Sequence, residues 1–401
     1  MTFKWEDKIR AYALKNALAY GKAKESSVLS SLFHEGLKKE EVSSVLKDVK
    51  KVVSEINSLS LEEQKKEFSK LEKEVSKRPE REGLPELENT EKGVIMRFRP
   101  APSGHLHVGH IISNLISSMY VKKYGGKFYI IIDDTNPEET IKEAYENIKE
   151  DCDWIFGNVY KYLNSSDRMK IYYKYALELI KKKSAYVCTC PPEKFKQLIE
   201  NRKSCPCRNL SLQENMERWK KMLDKKGYRE GQAVLRFKSS LESDNPALRD
   251  FPLARINTKE HPLQGKKYRV WPLMNLAVSA DDLELKMTHI IRGKDHRDNA
   301  ERQKMIYKAL GKEKKYPWTF FMGRIKFNDL ILSKRKIKAS IEAGEFSGRD
   351  DPRLPTIASL RKRRYTKEAF EKLIEQRGLS DVDKVMSKDD FFKLLDNFSY
   401  K

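Results

Sequence analysis

Two histidines and a glycine lie close together where a short strand gives way to a helix. They are His107, Gly109 and His110, and a turn containing two prolines precedes them. The free N–H groups at a helix N-terminus carry partial positive charge, which suits a polyphosphate. Imidazoles three residues apart can donate hydrogen bonds to phosphate oxygens, and glycine leaves room for a flat base. The pattern predicts a nucleotide-phosphate site, and the alternative is that the histidines only cap the helix.

A second polar segment follows more than 200 residues later. It contains Ser333, Lys334, Arg335 and Lys336. A flexible loop of this kind can close over a triphosphate and place one ammonium group on the leaving phosphates. Taken alone, a basic run of this length is more often a solvated surface.

Four of the five cysteines form two close pairs. One residue separates Cys188 from Cys190 and Cys205 from Cys207, and fourteen residues lie between the pairs. Tetrahedral Zn²⁺ takes four soft ligands, and two tight turns can supply them. We predict a structural zinc site, with free thiols as the alternative. An odd number of cysteines in a chain expected to be cytoplasmic argues against a disulfide framework.

The elements that must position these residues alternate strand, helix and strand. Residues 93–98 predict a short strand, residues 108–119 show the apolar spacing of a helix, and residues 128–132 form a continuous apolar run. A later run, residues 286–292, predicts another buried strand. This order indicates an α/β fold with a doubly wound parallel sheet, whose ligand crevice lies at the carboxyl ends of the strands.

The rest of the chain predicts further regions around this sheet. Residues 4–76 predict helices throughout, followed by a charged linker that contains proline and glycine. Residues 169–265 are basic and carry four cysteines, which indicates an insertion. The predicted domains are a helical N-terminal appendage (1–85), a nucleotide-binding domain in two halves (92–168 and 266–330), the insertion (169–265) and a polar loop with a helical tail (331–401).

The chain is strongly basic. Its 401 residues carry 81 Lys and Arg against 59 Asp and Glu, a formal net charge of +22. Many dispersed cations suit a phosphate backbone, so nucleic acid is the first candidate partner, with a solvated Lys/Glu-rich surface as the alternative. No apolar run approaches the ~20 residues of a membrane span, and the N-terminus lacks an apolar signal region. We therefore expect a cytoplasmic protein.

Together, the two polar segments resemble the HIGH and KMSKS signatures of class I aminoacyl-tRNA synthetases. Residues 107–110 and 332–335 stand in the matching places and order. Residues 5–22 are similar to the N-terminal appendage of archaeal glutamyl enzymes. The resemblance implies a Rossmann-like catalytic domain with an inserted acceptor-stem-binding domain, where glutamyl enzymes carry a zinc knuckle. Five further places are similar to the archaeal and eukaryotic form of the glutamyl/glutaminyl subclass, namely Arg97 and residues 133–138, 271–273, 292–296 and 350–356.

The resemblance implies how ATP is bound. The two histidines of residues 107–110 hold the phosphates, and the glycine between them admits adenine. Lys334 with Ser333 stabilises the pyrophosphate, which leaves with Mg²⁺. Asp295 is expected near the ribose. The implied catalytic residues are His107, His110 and Lys334. The implied ATP contacts are Ser103, Gly104, His107, Gly109, His110, Asp295, Ser333 and Lys334.

The resemblance also implies an amino-acid pocket. Arg97 would pair with the side-chain carboxylate of glutamate, because a guanidinium binds a planar anion through two parallel hydrogen bonds. Asp133 would accept the α-ammonium group, and Arg292 and Met274 would line the same pocket. The alternatives are a strand-end cap for Asp133 and a surface ion pair for Arg292.

Three positions depart from the subclass pattern. Met274 stands where a tyrosine is usual, Asn275 where aspartate is common, and Ile131 where arginine is usual. These positions bear on the fine contacts with the substrate and on the choice between glutamate and glutamine. The adenylation residues are intact.

The implied activity is ATP-dependent ligation of glutamate to tRNA(Glu), with tRNA(Gln) left open as a second substrate. A glutaminyl-tRNA synthetase is the nearest alternative because it shares nearly all of these motifs. Two others are a glutamate-transferring paralogue that modifies a tRNA base and a non-catalytic tRNA-binding module. The intact histidines and Lys334 argue against the last of these.

The residues after Arg335 predict helices and no strand pattern. The archaeal and eukaryotic subclass continues into two β-barrels that read the anticodon, which need at least five alternating segments. We therefore expect a second polypeptide that supplies anticodon binding, or else weak charging with little anticodon dependence. The apolar residues of the tail would either dock a partner or cover the chain's own core. They include Phe391, Phe392, Leu395, Phe398 and Tyr400.

Overall fold

The computed structural model describes residues 5–76 and 83–399 of the chain. The chain divides into two compact units, Met1–Glu80 and Arg81–Lys401, each with its own interior. The predicted appendage ends five residues beyond the first unit, at residue 85. No helix among the described residues is long and apolar enough to cross a membrane.

The described part of the first unit is helical, as predicted for residues 4–76. Leu14, Val49 and Ile56 are fully buried in its interior. Ser60 and Glu63 form a capping box at the start of the last helix, which satisfies two free N–H groups. The α-helices are α1 (Glu6–Tyr20), α2 (Glu25–His34), α3 (Val42–Ser58) and α4 (Leu61–Leu71).

The second unit begins with a parallel sheet, as the alternation of strand and helix predicts. Three strands lie in the order β1, β2, β3, all parallel, with a helix in each connection. The apolar run 128–132 is buried throughout, which explains why it shows no alternation. The elements are β1 (Val94–Phe98), α5 (Val108–Tyr124), β2 (Gly126–Ile132), α6 (Ala144–Phe156) and β3 (Val159–Asn164).

The middle of the second unit forms a separate antiparallel sheet with the order β4, β5, β6, β7. It has its own apolar interior. The sheet continues to Pro272, seven residues past the predicted end of the insertion at residue 265. The elements are α7 (Met169–Lys181), β4 (Ala185–Cys188), α8 (Pro192–Glu200), α9 (Leu212–Leu223), β5 (Val234–Phe237), β6 (Pro252–Ile256) and β7 (Val270–Pro272).

The chain then returns to the parallel strands. Thr288 hydrogen bonds with the backbone of Ile95, which places the next strand beside β1. This strand begins three residues later than predicted, because Lys286 has a left-handed φ of 56° that does not fit a strand. The elements are α10 (Met274–Glu284), β8 (His289–Gly293), α11 (Arg297–Ala309) and β9 (Trp318–Met322), with β8 and β9 parallel.

The tail contains the predicted helices, but the expectation of no strand is wrong. Residues 384–386 pair in parallel with residues 325–327, forming a small two-stranded sheet. A three-residue strand is too short to show an alternating pattern, so the sequence gives no sign of it. The elements are β10 (Ile325–Phe327), α12 (Lys334–Glu342), α13 (Ile357–Lys362), α14 (Lys367–Arg377), β11 (Lys384–Met386) and α15 (Lys388–Ser399).

The apolar residues of the tail cover the chain's own core. Phe391, Phe392 and Leu395 are buried in the same cluster as the parallel sheet, and Phe398 packs against it. The alternative, that they form a docking surface, is therefore wrong for these four residues. Tyr400 lies outside the described residues.

This packing predicts a large stability effect for Phe391→Ala. The ring is fully buried and packs edge-on against Phe327 and Phe392. Its removal should lower the free energy of unfolding by about 3–5 kcal/mol, measured by denaturant unfolding. The control is Val382→Ala, because Val382 is 66% exposed and its truncation should cost less than about 0.5 kcal/mol. Equal stability of both variants would contradict a core role for α15.

Candidate active site

His107 and His110 lie together at the N-terminus of α5. His107 is the N-cap residue, and its backbone N–H donates to Nδ1 of His110 at 3.1 Å. The two rings lie 4.0 Å apart between centroids. Burial, with the nearby charge of Lys334, lowers the pKa of His107 to about 4, and burial holds the pKa of His110 well below its usual value. Both rings are therefore neutral at pH 7. The hydrogen bond that Nδ1 of His110 accepts favours the tautomer with the proton on Nε2, and a neutral imidazole in either tautomer keeps one N–H.

The turn before this helix meets the second polar segment. Nζ of Lys334 donates to the carbonyl oxygen of Ala101 at 2.8 Å. Gly104 has a φ of 150°, and a Cβ built there would lie 3.2 Å from Cβ of Lys334. Glycine thus permits the close approach of the two segments. The structure brings together two elements that lie more than 200 residues apart in the sequence.

Residues 333–336 differ from the predicted flexible loop. They form the N-cap and first turn of α12, where the hydroxyl of Ser333 accepts a hydrogen bond from the backbone N–H of Lys336 at 3.4 Å. Burial lowers the pKa of Lys334 to about 8, so its amine is mainly charged at pH 7. A preformed helix end holds this charge in place beside the histidines.

Residues 349–357 hold the histidine segment from its other side. The backbone of Val108 donates to Pro355, and the backbone of Ile357 donates to Leu106, at 2.9 and 3.1 Å. His107 and Thr356 form an isolated antiparallel bridge. Residues 350–356, one of the places similar to the glutamyl/glutaminyl subclass, therefore help to fix the backbone that carries the histidines.

Two consecutive carboxylates on α10 bind the arginines at the end of β1. Nε and Nη2 of Arg97 donate to the two oxygens of Asp282 at 2.5 and 2.8 Å. Arg99 donates to Asp281, and Arg168 donates to the same carboxylate at 2.6 Å. Burial opposes ionisation of Arg97, but Asp282 holds its pKa above the usual value. The residue expected to receive the substrate carboxylate thus already has an anionic partner.

Arg292 lies near Arg97 without such a partner. Its Nη1 donates to the amide oxygen of Gln303 at 2.8 Å, and it forms no salt bridge with a described residue. Burial and the charge of Arg97 lower the pKa of Arg292 to about 10. The alternative of a surface ion pair is wrong, because the guanidinium is largely buried and has no anionic partner among the described residues.

Asp133 lies at the end of β2. Its carboxylate accepts hydrogen bonds from Nε of Arg99 at 3.0 Å and from the hydroxyl of Thr135 at 2.9 Å. Burial opposes its ionisation, but Arg99 keeps its pKa below the usual value. The carboxylate is 17% exposed, and its hydrogen bond from Thr135 caps the turn after the strand.

The remaining predicted site residues each lie shortly after the end of a strand. Asp295 follows β8, and Nη2 of Arg324 donates to its carboxylate at 2.9 Å. Met274 is the first residue of α10 and is 39% exposed. Ser103 is half-buried in the turn before the histidines.

Sequence reasoning missed the residues that organise the arginines. Asp281 and Asp282 directly follow a largely apolar stretch, residues 276–280, and both are buried. Two acids on the buried face of a helix indicate buried cations nearby, because an unpaired buried charge is costly. Arg99, a cation directly after the first predicted strand, is the matching indication. The sequence gave no indication of a role for Gln303, because a polar residue on a helix is usually exposed.

The four paired cysteines converge at one point of the antiparallel region. The sulfurs of Cys188 and Cys205 lie 3.9 Å apart, those of Cys190 and Cys207 lie 3.8 Å apart, and all four lie within 4.8 Å of one another. Zn–S bonds of about 2.3 Å at tetrahedral angles place sulfurs about 3.8 Å apart. A hydrogen bond from Cys188 lowers the pKa of Cys205 to about 5, which favours a thiolate. The cluster therefore fits a four-thiolate metal site.

The fold and this site agree with one protein family. Residues 93–397 match the family model described as tRNA synthetases class I (E and Q), catalytic domain. The chain therefore belongs to the class I tRNA synthetases for glutamate and glutamine.

Individual relatives identify the branch of that family. The chain is 43% identical to the glutamate–tRNA ligase of Thermococcus kodakarensis over 389 residues, which cover 94% of this chain and 67% of that one. It is 40% identical to the enzyme of the same name from Methanocaldococcus jannaschii, covering 97% of this chain and 70% of that one. These relatives place the chain in the glutamate–tRNA ligase family.

A solved structure supports the fold. A glutamate tRNA ligase from Elizabethkingia meningosepticum, crystallised with its amino acid, superposes with a TM-score of 0.51. The two chains are 20% identical, and the match covers 75% of this chain and 68% of that one. This similarity confirms the class I synthetase fold with its parallel strands.

The geometry predicts that Gly109→Ala impairs the use of ATP. A Cβ at Gly109 would lie 3.1 Å from the ring of His107 and 3.4 Å from Leu332, so the ring must shift. We expect ATP–pyrophosphate exchange to fall by roughly 10-fold or more, since small displacements of positioned groups are costly. The control is Ser113→Ala one turn later, which removes a hydroxyl that donates to the carbonyl of Gly109 and accepts from Nδ2 of Asn114, and adds no atom near His107. Undiminished exchange by Gly109→Ala would contradict a nucleotide role for this turn.

Proposed function

We infer that this chain is a glutamate–tRNA ligase that activates glutamate with ATP and transfers it to tRNA. The observation that carries this function is the convergence of His107, His110 and Lys334 on one turn. Two neutral N–H donors and one cation at a helix N-terminus suit a triphosphate that is losing pyrophosphate.

In the first step, an oxygen of the glutamate α-carboxylate attacks the α-phosphorus of ATP. The bond from that phosphorus to the bridging oxygen breaks, and pyrophosphate leaves with the electron pair. His107 and His110 hold the phosphates, Gly109 admits the adenine and Lys334 stabilises the charge that develops on the leaving group. Mg²⁺, which ATP chemistry of this class uses, supplies positive charge to the phosphate oxygens.

In the second step, a hydroxyl of the terminal tRNA ribose attacks the acyl carbon and releases its proton to solvent. The bond from the acyl carbon to the phosphate oxygen breaks, and AMP leaves with the electron pair. No enzyme nucleophile forms a covalent intermediate, so the chain acts by positioning and charge stabilisation. Ser103, Gly104 and Ser333 complete the ATP contacts, and Asp295 lies near the ribose.

The amino-acid pocket is proposed at the carboxyl ends of β1, β2 and β8. Asp133 receives the α-ammonium group, which its retained negative charge supports. Arg292 supplies the cation for the side-chain carboxylate, with Arg97 beside it. Met274 lines the entrance, where its exposed side chain supports contact with the ligand.

For tRNA, we propose that residues 169–265 contact the acceptor stem, and the net charge of +22 supports contacts with its phosphates. The relatives' name implies tRNA(Glu) as the partner. The use of tRNA(Gln), a second polypeptide for anticodon binding and cytoplasmic localisation stay predictions from the sequence.

A charging assay with glutamate and glutamine against tRNA(Glu) and tRNA(Gln) tests this function. Glutamate should be transferred to tRNA(Glu), because a buried guanidinium facing a neutral amide remains an uncompensated charge. Preferential transfer of glutamine would identify the glutaminyl alternative. Transfer of neither amino acid, with tRNA binding intact, would identify a non-catalytic module.

The role of Lys334 predicts that Lys334→Ala slows adenylate formation by about 100-fold or more, with little change in glutamate binding. The measurement is ATP–pyrophosphate exchange in the presence of tRNA, together with equilibrium binding of glutamate. The control is Lys338→Ala, one turn further along α12, where the side chain is 44% exposed and pairs with Glu342. Near-parental turnover of Lys334→Ala would refute the assignment.

We also propose that Cys188, Cys190, Cys205 and Cys207 bind a structural Zn²⁺. The clustering of their sulfurs, two pairs at 3.9 and 3.8 Å and all four within 4.8 Å, supports this ion. Two tight connections, before α8 and before α9, supply the thiolates. The ion would tie these connections to β4.

The zinc site predicts about one Zn²⁺ per chain in protein purified without chelator. Removing it should increase hydrogen exchange in β4 and α8 more than in β1 and α5, because the ligands are confined to the antiparallel region. Cys205→Ser should lose the metal. Cys152→Ala should keep it, because Cys152 is buried in the core of the parallel sheet. Four freely titrating thiols and no bound zinc would contradict the proposal.

A further inference from the structure

The part of the proposed amino-acid pocket meant for the side-chain carboxylate contains two guanidinium groups, those of Arg97 and Arg292, and one carboxylate, that of Asp282, which pairs with Arg97. Arg97 and Asp282 form a two-point ion pair at 2.5 and 2.8 Å, and their side chains are only 8% and 5% exposed. Arg292 lies close enough to Arg97 for their charges to repel. Its hydrogen bond goes to the neutral amide of Gln303. The three charged groups therefore sum to one positive charge.

The other acidic group near Arg292 already has a cationic partner. Asp295 is held by Arg324 at 2.9 Å. His296 does not add a charge at pH 7, because burial and the charge of Arg292 lower its pKa. The excess positive charge thus belongs to Arg292.

Gln303 is fixed by a chain of amides. It is 2% exposed, and its Nε2 donates to Oδ1 of Asn275 at 3.2 Å. Nδ2 of Asn275 donates in turn to Oδ1 of Asn299 at 3.2 Å. Because Nε2 of Gln303 is used in this way, its oxygen must face Arg292. A neutral oxygen orients the guanidinium and leaves its charge uncompensated.

We propose that Gln303 and Asp282 determine the specificity of the pocket by setting its charge, an inference that rests on the proposed ligase function. Asp282 neutralises the charge of Arg97 before substrate binds. Gln303 holds Arg292 in place without neutralising it. The pocket then lacks one negative charge, which the side-chain carboxylate of glutamate supplies and the amide of glutamine does not.

Gln303 acts through Arg292 and is a positioning residue. Its length matches that of glutamate, so Gln303→Glu would place a carboxylate about where the amide oxygen now lies, 2.8 Å from Arg292. The variant supplies the missing charge from the protein itself. The substrate carboxylate would then add a second negative charge, which is unfavourable in a buried site.

The experiment compares kcat/KM for glutamate and for glutamine in Gln303→Glu and Gln303→Met. We expect the glutamate-to-glutamine ratio of kcat/KM to fall by about 100-fold or more in Gln303→Glu, because the substrate carboxylate no longer meets an unpaired positive charge. Gln303→Met removes the hydrogen bond without adding charge. We therefore expect kcat/KM to fall for both substrates, while the glutamate-to-glutamine ratio of kcat/KM changes less than about 10-fold. An equal fall of the ratio in both variants would show that orientation, not charge, sets the preference.

The double variant Gln303→Glu with Asp282→Asn tests the charge sum directly. It returns the pocket to one net positive charge, now on Arg97, and should regain at least about 10-fold of the lost glutamate preference. No recovery in a folded double variant would contradict the charge account, and so would an unchanged ratio in Gln303→Glu. Failure of the proposed function is distinct: the unmodified chain would then prefer glutamine or charge neither amino acid.

Discussion

The candidate site depends on two adjacent carboxylates, Asp281 and Asp282, on the buried face of α10. An arginine taken out of water is stable only beside an anion, and these carboxylates bind three arginines from different segments. Arg97 comes from β1, Arg99 follows it, and Arg168 follows β3. The carboxylates thereby fix the carboxyl edge of the parallel strands against the helix. Arg292 is the exception, because a neutral amide holds it.

The nucleotide side of the site depends on backbone contacts as well as on charge. The ammonium group of Lys334 binds the carbonyl of Ala101, and the absence of a side chain at Gly104 allows that approach. Residues 349–357 pair with the histidine segment from the other side. The histidines and the lysine are therefore positioned before any ligand binds, which lowers the cost of ordering them during the reaction.

Much of this arrangement could be predicted from the sequence. The buried run 128–132 and the helix after His107 have strong periodicity, and they predicted the parallel strands and α5. The family resemblance predicted that Lys334 lies near the histidines. The pairing of Arg97 with Asp282 could not be predicted, because the two residues lie 185 positions apart and an ion pair leaves no local pattern. The short strand β11 could not be predicted either, because three residues are too few to show an alternating pattern.

The proposed charge of the pocket bears on the choice that the sequence left open between glutamate and glutamine. The motifs of the two enzymes overlap, and we propose that the preference of this chain depends on Arg292, which keeps an unpaired charge. Arg97 was the expected receptor, yet its carboxylate partner is already present in the fold. The sequence does not show that Arg292 keeps an unpaired charge, because its neutral partner Gln303 is identified only in the structure.

The most direct test of this account is a crystal structure of the chain with a non-hydrolysable glutamyl-adenylate analogue. The account predicts the side-chain carboxylate of the analogue within about 3 Å of the guanidinium of Arg292, with Arg97 still paired to Asp282. It also predicts the adenine beside Gly109. A side-chain carboxylate bound by Arg97 after release of Asp282, with Arg292 left uncontacted, would contradict it.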